Sequence, residues 1–295
     1  MIKVSVAILS YNRKSDLNET LTEIYKSQLN NVELEVIVAD NASSDNTVDM
    51  IKKDFPNVII IEIEKNEGVK AYNSAFKKAS GKYILILDDD SFPEHNSIQR
   101  MVEEFEKDDK IGILALDVRN YYSYKDVSKS IDNNSLKDKK TAKYLMGFNG
   151  AGAGFRKTLF NKIGGYPEEF FLYWNEMDLA IRVLESGYNI VEFPDIISYH
   201  KFAPTNRTST RGPFYYTRNL YWIIWKFFPF NQMIIKTSQL IFNSIYHSFE
   251  QNSLIYIKAT LSAFININKI KRQKVKNSIL NKLRISTKLA FIIFK

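Results

Sequence analysis

The sequence predicts an α/β protein built on a mixed, mostly parallel sheet that is flanked by helices. Through the first half of the chain, short β-branched runs alternate with segments whose apolar residues recur at helical spacing. The most apolar run, residues 82–87, ends directly in Asp88, Asp89 and Asp90. Since ligands of such sheets bind at the carboxyl ends of the strands, the same pattern predicts the fold and the edge of the sheet that carries a site.

Five strands and four helices are predicted in the first 120 residues or so. The predicted strands are 4–9, 34–39, 58–63, 83–87 and 111–116. The first helix is predicted to begin with Ser15 as its cap. Its apolar face consists of Leu17, Leu21, Ile24 and Tyr25. The other helices are expected at 45–53, at 69–79 and after Pro93.

The second half of the chain is less regular. Residues 119–143 are rich in Lys, Asp, Asn and Ser and predict a long surface excursion. Regular structure is expected again from Tyr144, with a helix over 175–187 that Gly187 ends. Two short strands are predicted at 190–193 and 196–200, and a helical region beyond Asn219.

Composition excludes several classes of protein. Of the 295 residues, 45% are apolar and 14% aromatic, which excludes a disordered chain. The sequence contains no cysteine, so disulfides, thiol catalysis and cysteine-ligated zinc are excluded. The first ten residues lack the long apolar stretch and the cleavage site of a signal peptide, and we expect a cytoplasmic protein.

The net charge of +8 is distributed unevenly along the chain. Residues 220–295 contain 12 Lys and Arg but one acid, Glu250, whereas residues 1–219 carry a net charge of −3. We therefore predict two domains, 1–219 and 220–295, and an anionic partner for the basic C-terminal region. A membrane surface fits this charge. No nucleic acid is expected, because the region contains no recognisable nucleic-acid-binding module.

The C-terminal region has the composition of amphipathic helices. One side of a predicted helix there carries Ile235, Phe242, Ile245 and Phe249. No stretch reaches the length of about 18 uncharged apolar residues that spans a bilayer. Helices rich in Trp, Phe, Lys and Arg are typical of the membrane interface. The alternative is a helical subdomain that packs on the core or on a second subunit, as in a homo-oligomer.

The aspartate triplet is the strongest candidate for a metal site. Three carboxylates crowded at a strand end repel one another unless a cation lies among them. Oxygen ligands are those that Mg²⁺ and similar divalent cations prefer. The alternative is an acidic turn in which Ser91 or an aspartate caps the following helix.

Three other polar blocks also follow predicted strands or begin helices. Ser10, Tyr11, Asn12 and Arg13 follow the first strand, and Asp40 with Asn41 follows the second. A carboxylate such as Asp40 can accept the ring N–H of a uracil or thymine, but Asn, Ser and Asp are also ordinary turn residues. In the third block, which begins at Asn66, Gly68 permits an unusual backbone turn and Lys70 is a candidate phosphate ligand. Single blocks of this kind are weak signals.

In this order and spacing, the blocks resemble the inverting glycosyltransferases of family 2, which have the GT-A fold. The similarity covers residues 3–202, about two thirds of the chain. It includes the later blocks at 150–156, 164–166 and 171–182. Within the family, the sequence is most similar to the rhamnosyltransferase-like enzymes that build bacterial surface polysaccharides.

The resemblance implies a donor site and a metal site. Asp40 would recognise the pyrimidine, Tyr11 and Ser10 the base and ribose, and Asp89 the ribose. Asp90 would be the principal ligand of Mg²⁺ or Mn²⁺, supported by Asp88, and His200 would reach the metal or the diphosphate; the alternative for His200 is an ordinary core or surface histidine. The implied nucleotide-sugar-binding residues are Ser10, Tyr11, Asn12, Arg13, Asp40, Asn41, Asn66, Gly68, Lys70, Asp88, Asp89 and Gly152.

The resemblance also implies a general base at the start of the helix at 175. Family members commonly have Glu-Asp-x-Asp there, and this chain has Asn175, Glu176, Met177 and Asp178. Glu176 therefore falls on the base position. Asp178 is the second candidate, although an i,i+4 ion pair with Arg182 is a simpler role for it.

Two further blocks bear on the donor site. Tyr72 stands where many members have an arginine, so phosphate neutralisation would depend on the metal, Lys70 and Arg13. The glycines from Gly150 to Gly154 lack the spacing of a dinucleotide-binding fingerprint. We expect them to form a tight turn beside the donor sugar or the acceptor.

The sequence therefore predicts a metal-dependent inverting glycosyltransferase. It would transfer a sugar from a UDP- or dTDP-sugar to a glycan or lipid-linked acceptor, at the inner face of the cell membrane. Arg207, Arg211 and Arg218 are candidates to hold an acceptor pyrophosphate, or else belong to a solvated surface. The alternative function is a catalytically inactive subunit that binds nucleotide sugars or acts as a scaffold in a glycan assembly complex.

Overall fold

The computed structural model describes residues 1–123, 141–201, 210–283 and 285–289. The chain divides into two compact units. The first comprises Met1–Gly165 and Arg182–Ala203, and the second comprises Tyr166–Ile181 and Pro204–Lys295. Residues 210–219 thus group with the C-terminal helices, whereas the predicted domain boundary lies at 219/220.

The first unit contains a mixed, mostly parallel sheet, which confirms the predicted fold class. In the described residues the sheet has nine strands, in the order β3-β2-β1-β4-β8-β6-β9-β5, with β7 paired to β9. Strands β1 to β4 run parallel, β8 is antiparallel to both β4 and β6, and β6 is parallel to β9. The strands are β1 (Ile2–Ser10), β2 (Val32–Asp40), β3 (Ile59–Glu62), β4 (Tyr83–Asp88), β5 (Ser91–Pro93), β6 (Ile111–Asn120), β7 (Lys143–Leu145), β8 (Ala153–Arg156) and β9 (Asn189–His200).

Helices follow most strands of this unit. They are α1 (Lys14–Ile24), α2 (Thr47–Asp54), α3 (Tyr72–Lys78), α4 (Ser97–Lys107) and α5 (Lys157–Ile163), and a 3₁₀ turn at Gly68–Ala71 precedes α3. Helix α6 (Asn175–Glu185) begins in the second unit and ends in the first. It stops before Gly187, whose φ of 84° only glycine adopts readily, as predicted.

The core of the first unit follows from the period of its strands. Val4, Val6 and Ile8 alternate along β1 and belong to one buried cluster with Leu17 and Leu21 of α1. Because side chains two residues apart share one face of a strand, this spacing places all three on the face that α1 covers. The predicted apolar face of α1 is wrong at its end, where Tyr25 lies beyond the helix and is 47% exposed.

The start of α1 also differs from the prediction. Ser15 lies inside the helix, and Arg13 occupies the cap position without a side-chain capping bond. The backbone amide of Lys14 instead donates to Asp45 Oδ2 at 2.9 Å. A distant carboxylate thus satisfies an amide of the first turn that a local cap normally satisfies.

The later strands correct three predictions. The strands expected at 190–193 and 196–200 form the single strand β9, whose register against β6 shifts between Phe193 and Ile197. The excursion expected at 119–143 is shorter, because β6 extends to Asn120 and β7 begins at Lys143; residues 124–140 lie outside the described residues. Strands β5, β7 and β8 were not predicted, since β5 and β7 have three residues each and β8 contains Gly154.

The second unit is helical. After the start of α6 it contains α7 (Arg211–Phe227), α8 (Phe230–Glu250), α9 (Ile255–Ile265) and α10 (Asn277–Lys282). Leu220 to Phe228 are all buried, so this run, which contains Trp222, Trp225, Phe227 and Phe228, forms part of the core of this unit. By contrast, Ile235, Phe242 and Phe249 on α8 are exposed. Among the residues described, none of the helices has both the length and the hydropathy that crossing a membrane requires.

Candidate functional site

The sheet brings the predicted site residues of the first unit to one edge. Ser10 at the end of β1 lies opposite Asp40 at the end of β2, and Leu9 lies opposite Asp88 at the end of β4. All three strands run parallel, so their carboxyl ends meet at the same edge. The sequence prediction of a shared site at this edge is consistent with the register.

His200 joins the aspartates from the other side of the sheet. Strand β5 pairs with β9 so that Ser91 lies opposite His200, and the Lys201 amide donates to the Asp90 carbonyl at 2.9 Å. His200 Nε2 consequently lies 3.0 Å from Asp90 Oδ1 and 3.9 Å from Asp88 Oδ2. The short strand β5, which the sequence did not reveal, therefore brings a residue 110 positions away to the aspartate cluster.

Arg13 lies beside two of the three aspartates and contributes a positive charge to the cluster. Its Nη1 donates to the second oxygen of Asp90 at 2.5 Å, and its Nε lies 3.8 Å from Asp89 Oδ1. Burial alone would raise the pKa of Asp90, but the hydrogen bond from His200 and the charge of Arg13 hold it below its usual range. Asp90 is therefore an ionised carboxylate at neutral pH.

Asp89 has a different electrostatic environment. Burial, with the negative charges of Asp90 and Asp88 adding to it, raises the pKa of Asp89 to about 8, against the opposing effect of Arg13. The Tyr11 amide donates to Asp89 Oδ2 at 3.3 Å, and Thr20 Oγ1 donates to its carbonyl at 3.0 Å. Asp90 is thus the ionised residue of the three, held by His200 and Arg13, whereas burial raises the pKa of both Asp88 and Asp89.

Tyr72 supports the cluster in a way that sequence reasoning missed. Its hydroxyl lies 2.8 Å from the Leu87 carbonyl and 3.1 Å from Asp88 Oδ1. The one available signal in the sequence is that Tyr72 stands where the resemblance to the family predicts an arginine. A neutral hydroxyl orients a carboxylate without adding positive charge, so it supports Asp88 differently from an arginine.

The donor atoms of Asp88, Asp90 and His200 fit a divalent cation. One ligand atom from each lies within 4.8 Å of the others, and no further cluster of this kind occurs in the described residues. The two carboxylates suit Mn²⁺ or Mg²⁺, which prefer oxygen ligands. The imidazole is a ligand of transition metals, so it fits Mn²⁺ better than Mg²⁺. The mutual repulsion of Asp88 and Asp90 gives a cation at this point a direct electrostatic advantage.

At the ends of β1 and β2, the same edge of the sheet carries two buried polar atoms that have unused hydrogen-bonding capacity. Asp40 Oδ2 accepts from the Ser43 amide at 3.0 Å. The remaining oxygen, Asp40 Oδ1, and Ser10 Oγ are buried without a hydrogen-bond partner in the described part of the chain. A buried polar atom that has no protein partner is costly, so these two atoms fit a ligand that supplies the missing bonds. Tyr11, which follows Ser10, is 43% exposed and offers an accessible ring.

Several predicted nucleotide-binding residues instead build the loops. Asn12 Oδ1 accepts from the Ser44 amide at 2.7 Å, and Asn12 N donates to Ser43 Oγ at 2.9 Å. Asn41 donates to Asn66 Oδ1 at 3.1 Å and accepts from the Glu67 amide at 2.8 Å. These bonds join neighbouring loops, so a direct role of the asparagines in binding remains a prediction.

Gly68 and Lys70 are also placed locally. Gly68 has a φ of 65°, the left-handed conformation that glycine adopts readily, and its amide donates to Asn66 Oδ1 at 2.9 Å. Lys70 Nζ lies 3.0 Å from Glu67 Oε1, an i,i+3 pair at the surface. A phosphate contact by Lys70 would have to compete with this pair.

The glycines at 150–154 have a packing role. Residues 150–152 form the predicted turn, but Gly154 lies inside β8 and not in a turn. A Cβ on Gly152 would come within 2.7 Å of Ser198 Cβ and 3.2 Å of Leu116 Cβ. The close approach that requires glycine at 152 is therefore that of β6 and β9, and a place of this turn beside the donor sugar or the acceptor remains a prediction.

The start of α6 lies in the second unit, where it carries both base candidates. Asp178 is fully buried, and its Oδ2 accepts a hydrogen bond of 2.5 Å from Lys226 Nζ of α7. Glu169 Oε1 lies 3.7 Å from the same ammonium. Glu176 is half-buried. Asp178 therefore belongs to a buried ion pair that joins the start of α6 to α7, and Glu176 as the general base remains a prediction.

A strained corner precedes Glu176. Tyr173 and Trp174 have φ values of 65° and 66°, which are unfavourable for aromatic residues. Asn219 Nδ2 donates to the carbonyls of Leu172 and Tyr173 at 2.7 and 3.1 Å, and Trp174 Nε1 donates to the Tyr216 carbonyl at 3.0 Å. Helix α7 thus holds this corner, a role that the sequence did not indicate for Asn219.

The arginines proposed for an acceptor pyrophosphate have different positions. Arg218 lies 4.2 Å from the Trp222 ring and 4.8 Å from the Tyr215 ring, and it donates to the Glu169 carbonyl at 3.3 Å. It stacks in the aromatic core of the second unit, which argues against the pyrophosphate role. Arg211 is exposed at the start of α7, and Arg207 lies outside the described residues.

Comparison with known proteins places the chain in a family. The model of "Glycosyl transferase family 2" matches residues 5–164. The Bacillus subtilis protein named "Uncharacterized glycosyltransferase YwdF" is 29% identical over 218 residues, which cover 72% of this chain and 79% of that protein. The poly-beta-1,6-N-acetyl-D-glucosamine synthase of Staphylococcus aureus is 29% identical over 114 residues, which cover 38% of this chain and only 27% of the synthase.

Solved structures show the same fold. The mannosyltransferase PcManGT from Pyrobaculum calidifontis, in complex with GDP-Man and Mn²⁺, superimposes with a TM-score of 0.57 at 23% identity. The match covers 74% of this chain and 61% of that protein. At this identity the similarity establishes the GT-A fold of the chain.

Proposed function

The chain belongs to glycosyl transferase family 2 and is a glycosyltransferase, and from this membership we propose that it works by a metal-dependent, inverting mechanism. Its donor would be a UDP- or dTDP-sugar, and its acceptor a glycan or lipid-linked glycan of a cell-surface polysaccharide. The observation that carries the proposal is the cluster of Asp88, Asp90 and His200 at the carboxyl ends of the strands.

Asp88, Asp90 and His200 would hold Mg²⁺ or Mn²⁺. The cation supplies charge neutralisation to the diphosphate as the bond to the sugar breaks. The low pKa of Asp90 keeps this ligand ionised at neutral pH, and the Tyr72 hydroxyl orients Asp88. Arg13, which already lies against Asp90, would add positive charge for the phosphates.

Asp40 and Ser10 would bind the nucleoside. Asp40 Oδ1 is a buried acceptor that can take the ring N–H of a pyrimidine, and Ser10 Oγ can bond to the ribose or the base. Tyr11 would stack on the base, and Asp89 would contact the ribose. These assignments, with the remaining nucleotide-sugar-binding residues, are supported by the shared strand edge and by the resemblance to the family.

Glu176 would act as the general base. The acceptor hydroxyl oxygen attacks the anomeric carbon on the face opposite the diphosphate, its proton passes to the Glu176 carboxylate, and the diphosphate leaves with the bonding electrons. This single displacement inverts the configuration of the anomeric carbon. A positioned carboxylate typically contributes about 10²–10⁴-fold to such a step.

The acceptor and the cellular location are inferred from a relative and from the charge of the C-terminal region. The similarity to a poly-N-acetylglucosamine synthase supports polysaccharide synthesis as the process. A lipid-linked acceptor and peripheral association with the inner membrane face would agree with the basic C-terminal region. The second candidate function, an inactive nucleotide-sugar-binding or scaffolding subunit, would keep the metal and nucleotide contacts and lack turnover.

A donor screen tests the proposal. Purified protein is incubated with UDP-, dTDP- and GDP-sugars and Mn²⁺, with a pool of lipid-linked acceptors, and released nucleoside diphosphate is measured. We expect release from a UDP- or dTDP-sugar that is lost with EDTA and in Glu176→Gln. Donor binding without release would favour the inactive subunit, and turnover of GDP-sugars alone would overturn the pyrimidine assignment of Asp40.

A further inference from the structure

One side of helix α8 is apolar and exposed. Phe242 is 69% and Phe249 is 80% exposed, whereas Leu240, Ser244 and Ser248 on the same helix are buried. At 3.6 residues per turn, the exposed apolar residues fall within an arc of about 140°. These residues are Phe230, Ile234, Ile235, Phe242, Ile245 and Phe249. The helix therefore carries an apolar stripe that the described residues leave in contact with solvent.

The stripe continues into a groove of about 490 Å³ within the second unit. Phe230 and Ile234 line it from α8, Trp225 from α7, and Phe264 and Ile267 from α9 and the turn that follows. Ile265, next to Phe264, is 77% exposed. The stripe and the groove form one apolar face, which we call the C-terminal face. Contiguous exposed apolar surface of this kind usually marks an interaction site.

A basic segment borders the C-terminal face. Residues 269–276 contain four lysines and one arginine and no acid, and the lysines are exposed. Arg272 itself lines the groove and donates to the carbonyls of Trp225 and Phe228 at 2.9 and 2.7 Å. The Gln273 amide donates to the Lys226 carbonyl at 2.8 Å. These bonds fix the basic segment beside the apolar groove.

We propose that the C-terminal face docks on an anionic lipid bilayer. Its aromatic and aliphatic side chains enter the acyl-chain boundary, and Lys269, Lys271 and Lys274 contact the phosphates of the headgroups. An apolar face bordered by lysines is the arrangement by which interfacial helices bind anionic membranes. The inference deepens the proposed membrane association, on which it rests, by assigning it to a defined surface.

Charge decides between a bilayer and a second copy of the chain. The one acid in residues 220–295 is Glu250, which lies at the end of α8 and pairs with His247 at 2.7 Å. Two C-terminal faces brought together would therefore oppose lysines with lysines, which is unfavourable when the charges are desolvated. Anionic headgroups carry the complementary charge, and each basic residue near such a surface strengthens binding by a factor of about five.

Vesicle sedimentation of the full chain, without donor or acceptor, tests this. Vesicles of phosphatidylcholine are compared with vesicles that also contain phosphatidylglycerol. We expect binding to the anionic vesicles alone, weakened by high salt. The triple variant Lys269→Gln, Lys271→Gln, Lys274→Gln should bind about 100-fold more weakly, and the matched control is Lys53→Gln, Lys77→Gln, Lys78→Gln, which removes exposed lysines of the first unit.

A second pair of variants tests the apolar part. Ile234→Ser with Phe242→Ser should reduce vesicle binding at least tenfold, whereas Tyr144→Ser, at an exposed aromatic of the first unit, should leave it unchanged. Circular dichroism checks the fold of each variant. The proposal would be overturned if the wild-type protein did not bind anionic vesicles. It would also be overturned if the lysine variant or the Ile234→Ser, Phe242→Ser variant bound them as tightly as the wild type does.

Self-association is the rival result. If analytical ultracentrifugation shows a dimer that the Ile234→Ser, Phe242→Ser variant dissolves, and no vesicle binding occurs, the C-terminal face is an interface between copies and the proposal is wrong. The assay uses no sugar donor, so its failure would leave transferase activity untouched. Equally, loss of turnover in Glu176→Gln would not change vesicle binding.

Discussion

Lys226 Nζ lies 2.5 Å from Asp178 Oδ2, and both side chains are buried. Lys226 is near the end of α7, and Asp178 is in the first turn of α6, two residues after Glu176. Together with the bonds from Asn219 to the carbonyls of Leu172 and Tyr173, the pair ties the start of α6 to α7. The C-terminal helices therefore do more than provide a surface, because they hold the helix that carries the proposed base.

Removing Lys226 should destabilise the protein strongly. Lys226→Met withdraws the ammonium from a buried carboxylate, which typically costs about 3–5 kcal/mol of unfolding free energy. Asp178→Asn should cost less, because Glu169 remains 3.7 Å from Lys226. Urea unfolding of both variants and of the double variant checks this. If the two charges are directly coupled, the double variant should lose less unfolding free energy than the two single variants lose together. A loss in the double variant that exceeds this sum would contradict the coupling.

Glu176→Gln should remove most of the transfer activity. We expect kcat to fall by about 10²–10⁴-fold with little change in donor KM, because the amide is isosteric and cannot take the proton. Glu176→Asp is the matched variant, since it keeps the carboxylate one methylene farther back, and it should retain more activity than Glu176→Gln. Full activity of Glu176→Gln in steady-state assays would show that another group is the base.

Glu35 should make the free energy of unfolding depend on pH in the acidic range. Burial opposes its ionisation, but hydrogen bonds from Ser5 and Ser80 and the nearby Lys3 lower the pKa of Glu35 to about 2. Because the folded pKa lies below the unfolded one, near 4.3, the stabilisation is complete above about pH 5 and lost as the pH falls toward about 2. Because solvent screens these contacts, the contribution to the free energy of unfolding is well below the roughly 3 kcal/mol that the full pKa shift corresponds to.

The comparison of wild type with Glu35→Gln measures this term. The difference in unfolding free energy should be largest near neutral pH and should shrink as the solution is acidified from about pH 5 to about pH 2. Glu33→Gln is the matched control, since it removes a neighbouring glutamate of the same strand whose side chain is 53% exposed. A difference for Glu35→Gln that stays constant over this range would contradict the lowered pKa.

Much of the first unit could be predicted because its strands are apolar runs that end in polar residues. Strands β1, β2 and β4 are of this kind, and their parallel pairing follows from the helices between them. The pairing then places Ser10, Asp40 and Asp88 together with no further information. Strands β5, β7 and β8 were not predicted, because neither a run of three residues nor a short run with a glycine shows a recognisable period.

The contacts that complete the site could not be predicted, since they join distant parts of the chain. Nothing local indicates that Tyr72 reaches Asp88 or that Lys226 reaches Asp178. The sequence also could not show that residues 220–228 are core, because an aromatic run is equally compatible with a membrane interface. Only the packing of the helices distinguishes a core from a membrane interface. It buries residues 220–228 and leaves the exposed apolar residues on α8 and α9.

The central claim is that Asp88, Asp90 and His200 bind a divalent cation used in sugar transfer. It is tested most directly by measuring donor turnover of the wild type and of Asp90→Asn, with Mn²⁺ and with EDTA. Asp54→Asn, at an exposed acid at the end of α2, is the matched control. We predict turnover that requires Mn²⁺ or Mg²⁺, that falls at least about 100-fold in Asp90→Asn, and that Asp54→Asn retains. Undiminished turnover in EDTA, or in Asp90→Asn, would contradict the account.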